Sequence, residues 1–398
     1  MRFLTNFRSK RPLTEQILLI TSCLIIFTSG AYAADKIIWA GFSFTGDYSE
    51  NQERYPYAAK LATQTTENGM PVLDYALNET KKKYYQRREK LIDTQRDIDS
   101  GRSIALAFGL SQESIEEIGW KSEKLYIYRV LSQVMIFDFK EMLLIANFPA
   151  MLQLQEIDAN IRDKEAHRKV FRQIYLNTNN TERSIFYEWI MRLNSVEIKE
   201  SYPFYLKVSS LDLDSNLLKQ LPEGTNANTY KSGVVQLFES ILSKEQKVSM
   251  IPFTKGQSVG SKMSLRFNDT KVLELKLPEP DYVFDIKLHE FKYLAKKSGG
   301  LIKHAFGSFA TFDLSLPVSG KHYFKQRFKK VNFAAFSAQD NVNVDVWNGQ
   351  QTALRGLFVG FAQQISQKDA KALSQMVKEP QKVAKQLICV EEVIAKCR

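Results

Sequence analysis

The alternation of apolar and polar positions opens the chain on a strand. Ile37-Ile38-Trp39-Ala40-Gly41-Phe42 is a short apolar run closed by Thr45-Gly46-Asp47, the pattern of a buried strand ending in a turn. Pro71 opens a predicted helix whose stripe, Leu73, Leu77, Tyr84, Leu91 and Ile98, continues to a stop at Gly101. Residues 103–108 read as a strand. Residues 125–139 are apolar on both alternating faces, as expected of a central strand covered on two sides, and 142–148 are its partner. Met151, Leu154, Ile157 and Ile161 then run toward Val170 and Ile174 at helical spacing. Ile185, Phe186, Trp189, Ile190 and Leu193 form a second stripe, started by the cap region Asn179-Asn180-Thr181.

Residues 201–230 break the rhythm with Pro203, Pro222, Gly224 and a Thr/Asn-rich stretch, which places a domain boundary near 225. Beyond it, Val234, Leu237, Phe238, Ile241 and Leu242 make an amphipathic helix. Strands are expected at 248–253, 263–267, 271–277 and 282–288, and a hairpin of 306–316 with 323–331 around Pro317-Val318-Ser319-Gly320. Leu354, Leu357, Phe358, Phe361 and Ile365 mark a closing helix. The expected organisation is an α+β protein: a signal peptide at 1–33, domains at 34–225 and 226–366 with mostly antiparallel strands on amphipathic helices, and a helical or irregular tail at 367–398.

The first 33 residues change the picture most. Arg2, Arg8, Lys10 and Arg11 precede an 11-residue apolar run from Ile17 to Phe27, and Ala31-Tyr32-Ala33 is a small-x-small cleavage site before Ala34. The expectation is export to the periplasm or beyond. An uncleaved anchor over residues 17–34 is the alternative, and Ile20-Thr21-Ser22-Cys23 offers a third reading as a lipidation site. Asn-x-Thr sequons at Asn78, Asn179 and Asn268 would matter only in a glycosylating host.

The net charge is +11, from 55 Lys and Arg against 44 Asp and Glu. Three cysteines exclude a disulfide-dense scaffold and a four-cysteine zinc site. Cleavage leaves Cys389 and Cys397, which an oxidising compartment would tend to pair. On one continuous helix, eight residues carry them about 12 Å apart, so a bridge requires the tail to fold back.

The order of elements resembles periplasmic envelope-assembly proteins of the curli-channel-subunit and TolB N-terminal-domain type. The strand 37–44, the helix 73–98, the strands 282–288 and 306–316 and the closing helix 354–365 carry the resemblance. It implies a role in assembling envelope machinery, without enzymatic activity, and transfers no functional residue.

Motifs for chemistry are sparse. Gly256-Gln257-Ser258-Val259-Gly260 matches a nucleophile elbow, with Asp285 and His289 following in hydrolase order, so a secreted serine hydrolase using Ser258 is one alternative. Yet Asp285 and His289 stand four apart on one predicted strand, and a flexible hairpin loop accounts for the glycines. Asp212-x-Asp214-x-Asn216 with Glu223 has the outline of a calcium loop but carries Leu217 where the turn needs glycine. None of the four histidines stands in H-E-x-x-H, and no phosphate-loop pattern occurs. No metal site and no cofactor is expected.

Charge leaves one candidate surface. In residues 321–330 the odd positions Lys321, Lys325, Arg327 and Lys329 fall on one strand face, opposite Phe324 and Phe328. Such a ladder could meet anionic lipid, polysaccharide or an envelope protein; it also has the form of a charged edge that discourages sheet-to-sheet aggregation. Nucleic acid is not an expected partner. The function expected from sequence is an exported, non-enzymatic binding or assembly protein of the cell envelope, with a membrane-tethered variant as the other alternative.

Overall fold

The computed structural model of the protein describes residues 36–46, 54–87, 90–92, 104–120, 123–176, 181–223, 225–253, 262–267, 272–339 and 344–398. The fold is α+β, with two sheets of mostly antiparallel strands packed on helices. The cleavage site Ala31, Ala33 and Ala34 and the candidate nucleophile Ser258 lie outside the described residues.

The first half starts with β1 (Lys36–Thr45), parallel to β3 (Ile104–Trp120), which leads into a meander of β4 (Glu123–Asp138) and β5 (Leu143–Asp158). The short β2 (Lys90–Ile92) flanks β1. Helices α1 (Val72–Tyr84), α2 (Lys164–Leu176) and α3 (Ile185–Ser195) cover one face, burying Leu106, Phe108 and Leu110 of β3 with Leu73, Ile174, Phe186 and Trp189.

The second half repeats this order. β6 (Leu206–Leu213) is followed by helix α4 (Ala227–Gln246), and β6 lies parallel to β9 (Tyr282–Ser298), which continues into a meander of β10 (Leu301–Leu316) and β11 (Lys321–Ser337). Helices α5 (Val346–Gln367) and α6 (Pro380–Lys396) close its core with α4. Phe312 and Phe361 stack there at 4.1 Å between ring centroids, with Phe238, Phe284 and Phe358 around them.

Within the second copy, between α4 and β9, runs an insertion, β7 (Lys262–Phe267) and β8 (Val272–Lys276), which returns to the first sheet. β8 meets β5 at Leu143 and Lys276, and β7 pairs with β1 through Ser43–Phe267 to Thr45–Leu265. The sheet thereby closes into a small barrel, lined by Ala105, Ala107, Met135, Phe137, Met263 and Leu265. Small residues on β3 make the closure fit. The first sheet thus draws strands from 36–158 and 262–276, the second from 206–213 and 282–337, with residue 225 between β6 and α4.

Several expected elements are corrected. The helix that opens at Pro71 stops at Tyr84, and Leu91 belongs to β2. Residues 151–158 are strand rather than helix, because Leu152 and Leu154 continue the alternation of β5 while Ile157 stands exposed. Helix α3 is capped by Ser184, whose Oγ accepts from Tyr187 N at 3.1 Å. Residues 248–253 are buried but irregular, held by Met250 N to Asn147 O at 2.9 Å and by a single bridge from Ile251 to Lys207. Much of the tail is helical and belongs to the core: α6 buries Val383, Leu387, Val390, Val393 and Ile394, with Pro380 in its first turn. Cys389 and Cys397 are free thiols, one on α6 and one at its end, because the helix runs unbroken between them. No helix among the described residues is long and apolar enough to cross a membrane.

Candidate functional site

The basic ladder sits on the outer face of the second sheet, away from α4 and α5. Lys325, Arg327 and Lys329 are exposed on that face, alternating with buried Phe324 and Phe328. Lys321 is not among them. β11 has one extra residue, Tyr323, where Leu314 pairs with Phe324 but Ser315 pairs with His322. The bulge brings His322 beside Lys325, and both contact Asp313, at 2.6 Å from His322 Nδ1 and 2.8 Å from Lys325 Nζ. Lys321 lies instead over the Tyr323 ring. Arg327 pairs with Glu290 at 2.8 Å. The carboxylates on β9 and β10 thus answer much of the ladder's charge, which its sequence alone does not show.

The hydrolase candidates lie on the same face in other partnerships. Asp285 accepts from Ser210 Oγ at 2.6 Å, and His289 Nε2 is 2.7 Å from Thr311 Oγ1. Burial pulls the His289 imidazole below its ordinary value, with Arg327 and Lys287 acting in the same direction. In the calcium-loop motif, Asp212 is part of β6, and Asp214 caps a helical turn at Ser215–Leu218.

A different site lies where the two halves meet. A cleft of about 570 Å³ opens between β5, α3, α4 and α5. Its walls carry Arg192, Lys244, Lys247 and Arg355 against Glu188 and Glu245. Arg192 projects from the apolar stripe of α3 and is only 7% exposed. Its Nη2 donates to the carbonyl and hydroxyl of Ser243 on α4, its guanidinium lies over the Phe148 ring, and Nε has no hydrogen-bond partner among the described residues. No carboxylate among the described residues offsets the burial, which lowers its pKa to about 10. Across the cleft, Arg355 Nη1 donates to Gln153 Oε1 at 2.6 Å, and Arg129 Nε donates to the same oxygen at 2.9 Å. Burial, followed by the Arg129 charge, lowers the Arg355 pKa.

A polar seam continues beside the cleft between β4, β5 and α4. Ser132, Gln133, Gln236, Glu239 and Ser240 are buried there, in a pocket that shares Pro149, Ala150 and Ser240 with the cleft. Gln133 Oε1, both amide atoms of Gln236 and Glu239 Oε1 have no hydrogen-bond partner among the described residues. Burial pushes the Glu239 carboxyl up to about 8.

The chain matches no protein-family profile and no curated protein sequence. Among solved structures it is similar to a minor lipoprotein from Acinetobacter baumannii, at 13% identity over 44% of this chain and 96% of that one, with a TM-score of 0.20. At that score the likeness carries no argument about fold or function.

Sequence reasoning missed the cleft. Arg192 beside Ile190 and Leu193, and Arg355 beside Leu354 and Leu357, are cations set into apolar stripes, a signal that was present in the sequence. The signal does not say that α3 and α5 face one cleft, since only the tertiary fold brings them together.

Proposed function

We propose that the chain is an exported, non-enzymatic binding protein of the bacterial cell envelope, and that the cleft between its halves receives an anionic group of its ligand. Export rests on the leader pattern of residues 1–33. The binding role rests chiefly on Arg192, a buried guanidinium without a carboxylate partner among the described residues, lining an open cleft with Lys244, Lys247 and Arg355. A buried charge without a counter-charge is costly, and a bound carboxylate, phosphate or sulfate would offset that cost with charge-assisted hydrogen bonds.

Calorimetric titration with inorganic phosphate, with sulfate and with a uronic-acid oligosaccharide tests the reading and separates the sources of the anion. Binding of one of these, weakened at least about tenfold in Arg355→Gln, supports it. Absence of binding to all three, or binding unaffected by Arg355→Gln and Lys244→Gln, overturns it. N-terminal sequencing of the protein from cell fractions tests export: a start at Ala34 supports it, and an intact leader in the soluble cell interior overturns it.

A further inference from the structure

The second sheet ends in a tip whose composition differs from the rest of the surface. β9 and β10 join through Gly299-Gly300, both at positive φ (58° and 78°), as a tight hairpin turn of this kind requires. From Lys292 to the turn every residue is exposed. On the outer face Leu294, Ala305 and Phe333 lie directly opposite one another across β9, β10 and β11, and Leu294 and Phe333 are 66% and 79% exposed. The next row pairs Lys296 with Lys303. Residues 291–306 and 328–339 contain no Asp or Glu.

Like charges placed directly opposite repel, and an exposed apolar row gains nothing in water. Edge protection accounts for neither Lys303 nor the apolar row: β10 is paired on both sides at the tip, whereas Lys296 lies on β9 beyond Leu288, where the pairing with β6 has ended. The first half shows that the topology does not impose this charge. At the corresponding end of its meander, Glu117 pairs with Lys124 and Glu116 with Arg129. A second copy of this tip would bring like charges together, so self-association does not suit it.

We propose that the tip seats on an anionic lipid bilayer. Leu294 and Phe333 enter the headgroup boundary, while Lys296, Lys297 and Lys303 meet the anionic headgroups. Lys329 continues the same outer face inward from the tip, and beyond it Lys325 and Arg327 are paired with Asp313 and Glu290. The proposal does not depend on the cleft.

Co-sedimentation of the full chain, as processed by the producing cell, with protein-free vesicles tests it. One set is phosphatidylcholine alone; the other is equal parts phosphatidylcholine and phosphatidylglycerol. The expected result is binding to the anionic vesicles that falls with added salt, drops roughly fivefold for each of Lys296→Gln and Lys303→Gln, and drops about tenfold in Leu294→Ser/Phe333→Ser. These side chains are exposed, so circular dichroism and the thermal midpoint should stay at wild-type values. Arg355→Gln should bind vesicles as wild type does, which keeps failure here distinct from failure of the cleft reading. Three results would overturn the proposal: no binding to anionic vesicles, binding that the tip variants leave unchanged, or capture by acidic envelope proteins without capture by vesicles.

Discussion

Ser111 and His289 hold the same position in two copies of one topology: each is the unpaired residue of the bulge that β3 forms with β4 and β9 forms with β10. The correspondence extends along both meanders. Ile104 and Tyr282, Glu123 and Leu301, and Leu143 and Lys321 begin equivalent strands at one constant offset in sequence. At that same offset, Ile145 and Tyr323 are the extra residues of the next bulges. The parallel pairs are also bulged alike, at Ala40 and Ser209. Bulges persist in related folds because each one re-aims the strand beyond it. Their coincidence makes the two halves repeats of one bulged topology.

The copies differ in what covers one face, and this gives a first prediction. In the first copy β7 and β8 close a barrel over that face; in the second it is open. Gly109 lies inside the barrel, where an added Cβ would stand 2.3 Å from Met135 Cε and 2.8 Å from Thr45 Cγ2. Its equivalent, Lys287, is exposed. Gly109→Ala should destabilise the protein by about 1–3 kcal/mol through overpacking, whereas Lys287→Ala should change it by no more than about 0.5 kcal/mol. Urea denaturation of the two variants checks the contrast, and equal effects would refute the closed barrel.

Much of this fold was legible in sequence, and the failures have physical causes. Tyr282, Phe284, Ile286 and Leu288 alternate strictly, as β9 requires, and Leu354, Leu357, Phe358, Phe361 and Ile365 keep the helical period of α5. In β5, however, Met151, Leu154 and Ile157 are three apart and match a helix, although Leu152 and Leu154 carry the burial. The tail was obscured by its many Lys and Gln residues, while Val383, Leu387, Val390 and Ile394 already held helical spacing. Barrel closure was not legible at all. It depends on β8 meeting β5 at one residue pair and on β7 crossing to β1, and such long-range pairings leave no local pattern.

The tail makes a second prediction. α6 places five apolar side chains in the core of the second half, and each is worth about 1.5–3 kcal/mol when fully buried. Ending the chain at Glu379 would therefore remove stabilisation comparable to the whole margin of a typical domain, about 5–15 kcal/mol. The truncated protein should lose its cooperative thermal transition or be recovered as aggregate. A truncation that melts as wild type would show that α6 is dispensable.

Cysteine labelling gives a third. Cys397 is fully buried, and burial pushes its thiol up to about 12, so little thiolate is present near neutral pH. Cys389 is half-buried. Maleimide should modify Cys389 first in the native protein and both thiols in urea, with no mass change on prior reduction. Loss of 2 Da on oxidation, with protection of both thiols in urea, would instead establish a bridge and require the end of α6 to unwind.

Two buried carboxyls predict how stability varies with pH. Glu113 accepts from Tyr57 N at 2.8 Å, Ala58 N at 2.9 Å and Tyr175 Oη at 2.8 Å, yet burial still pushes it up to about 7; Glu239, in the seam between the halves, stands at about 8. Both folded values lie above the ordinary carboxylate value of 4.5. Below pH 4.5 both states hold the proton and these groups do not bias folding. As pH rises further the unfolded chain releases its protons first, so stability falls until the folded carboxyls ionise near pH 7 and 8. Glu239→Gln removes the charge from the seam while keeping a similar shape. It should leave stability at pH 5 close to wild type, raise it at pH 8.5, and flatten the decline between them. Glu113→Gln should flatten the decline too, but at a cost at every pH, because its amide keeps only one acceptor oxygen for three donors. Chemical denaturation of the three proteins across this pH range checks the assignment. A Glu239→Gln curve parallel to wild type would show that this carboxyl is not held protonated in the folded state.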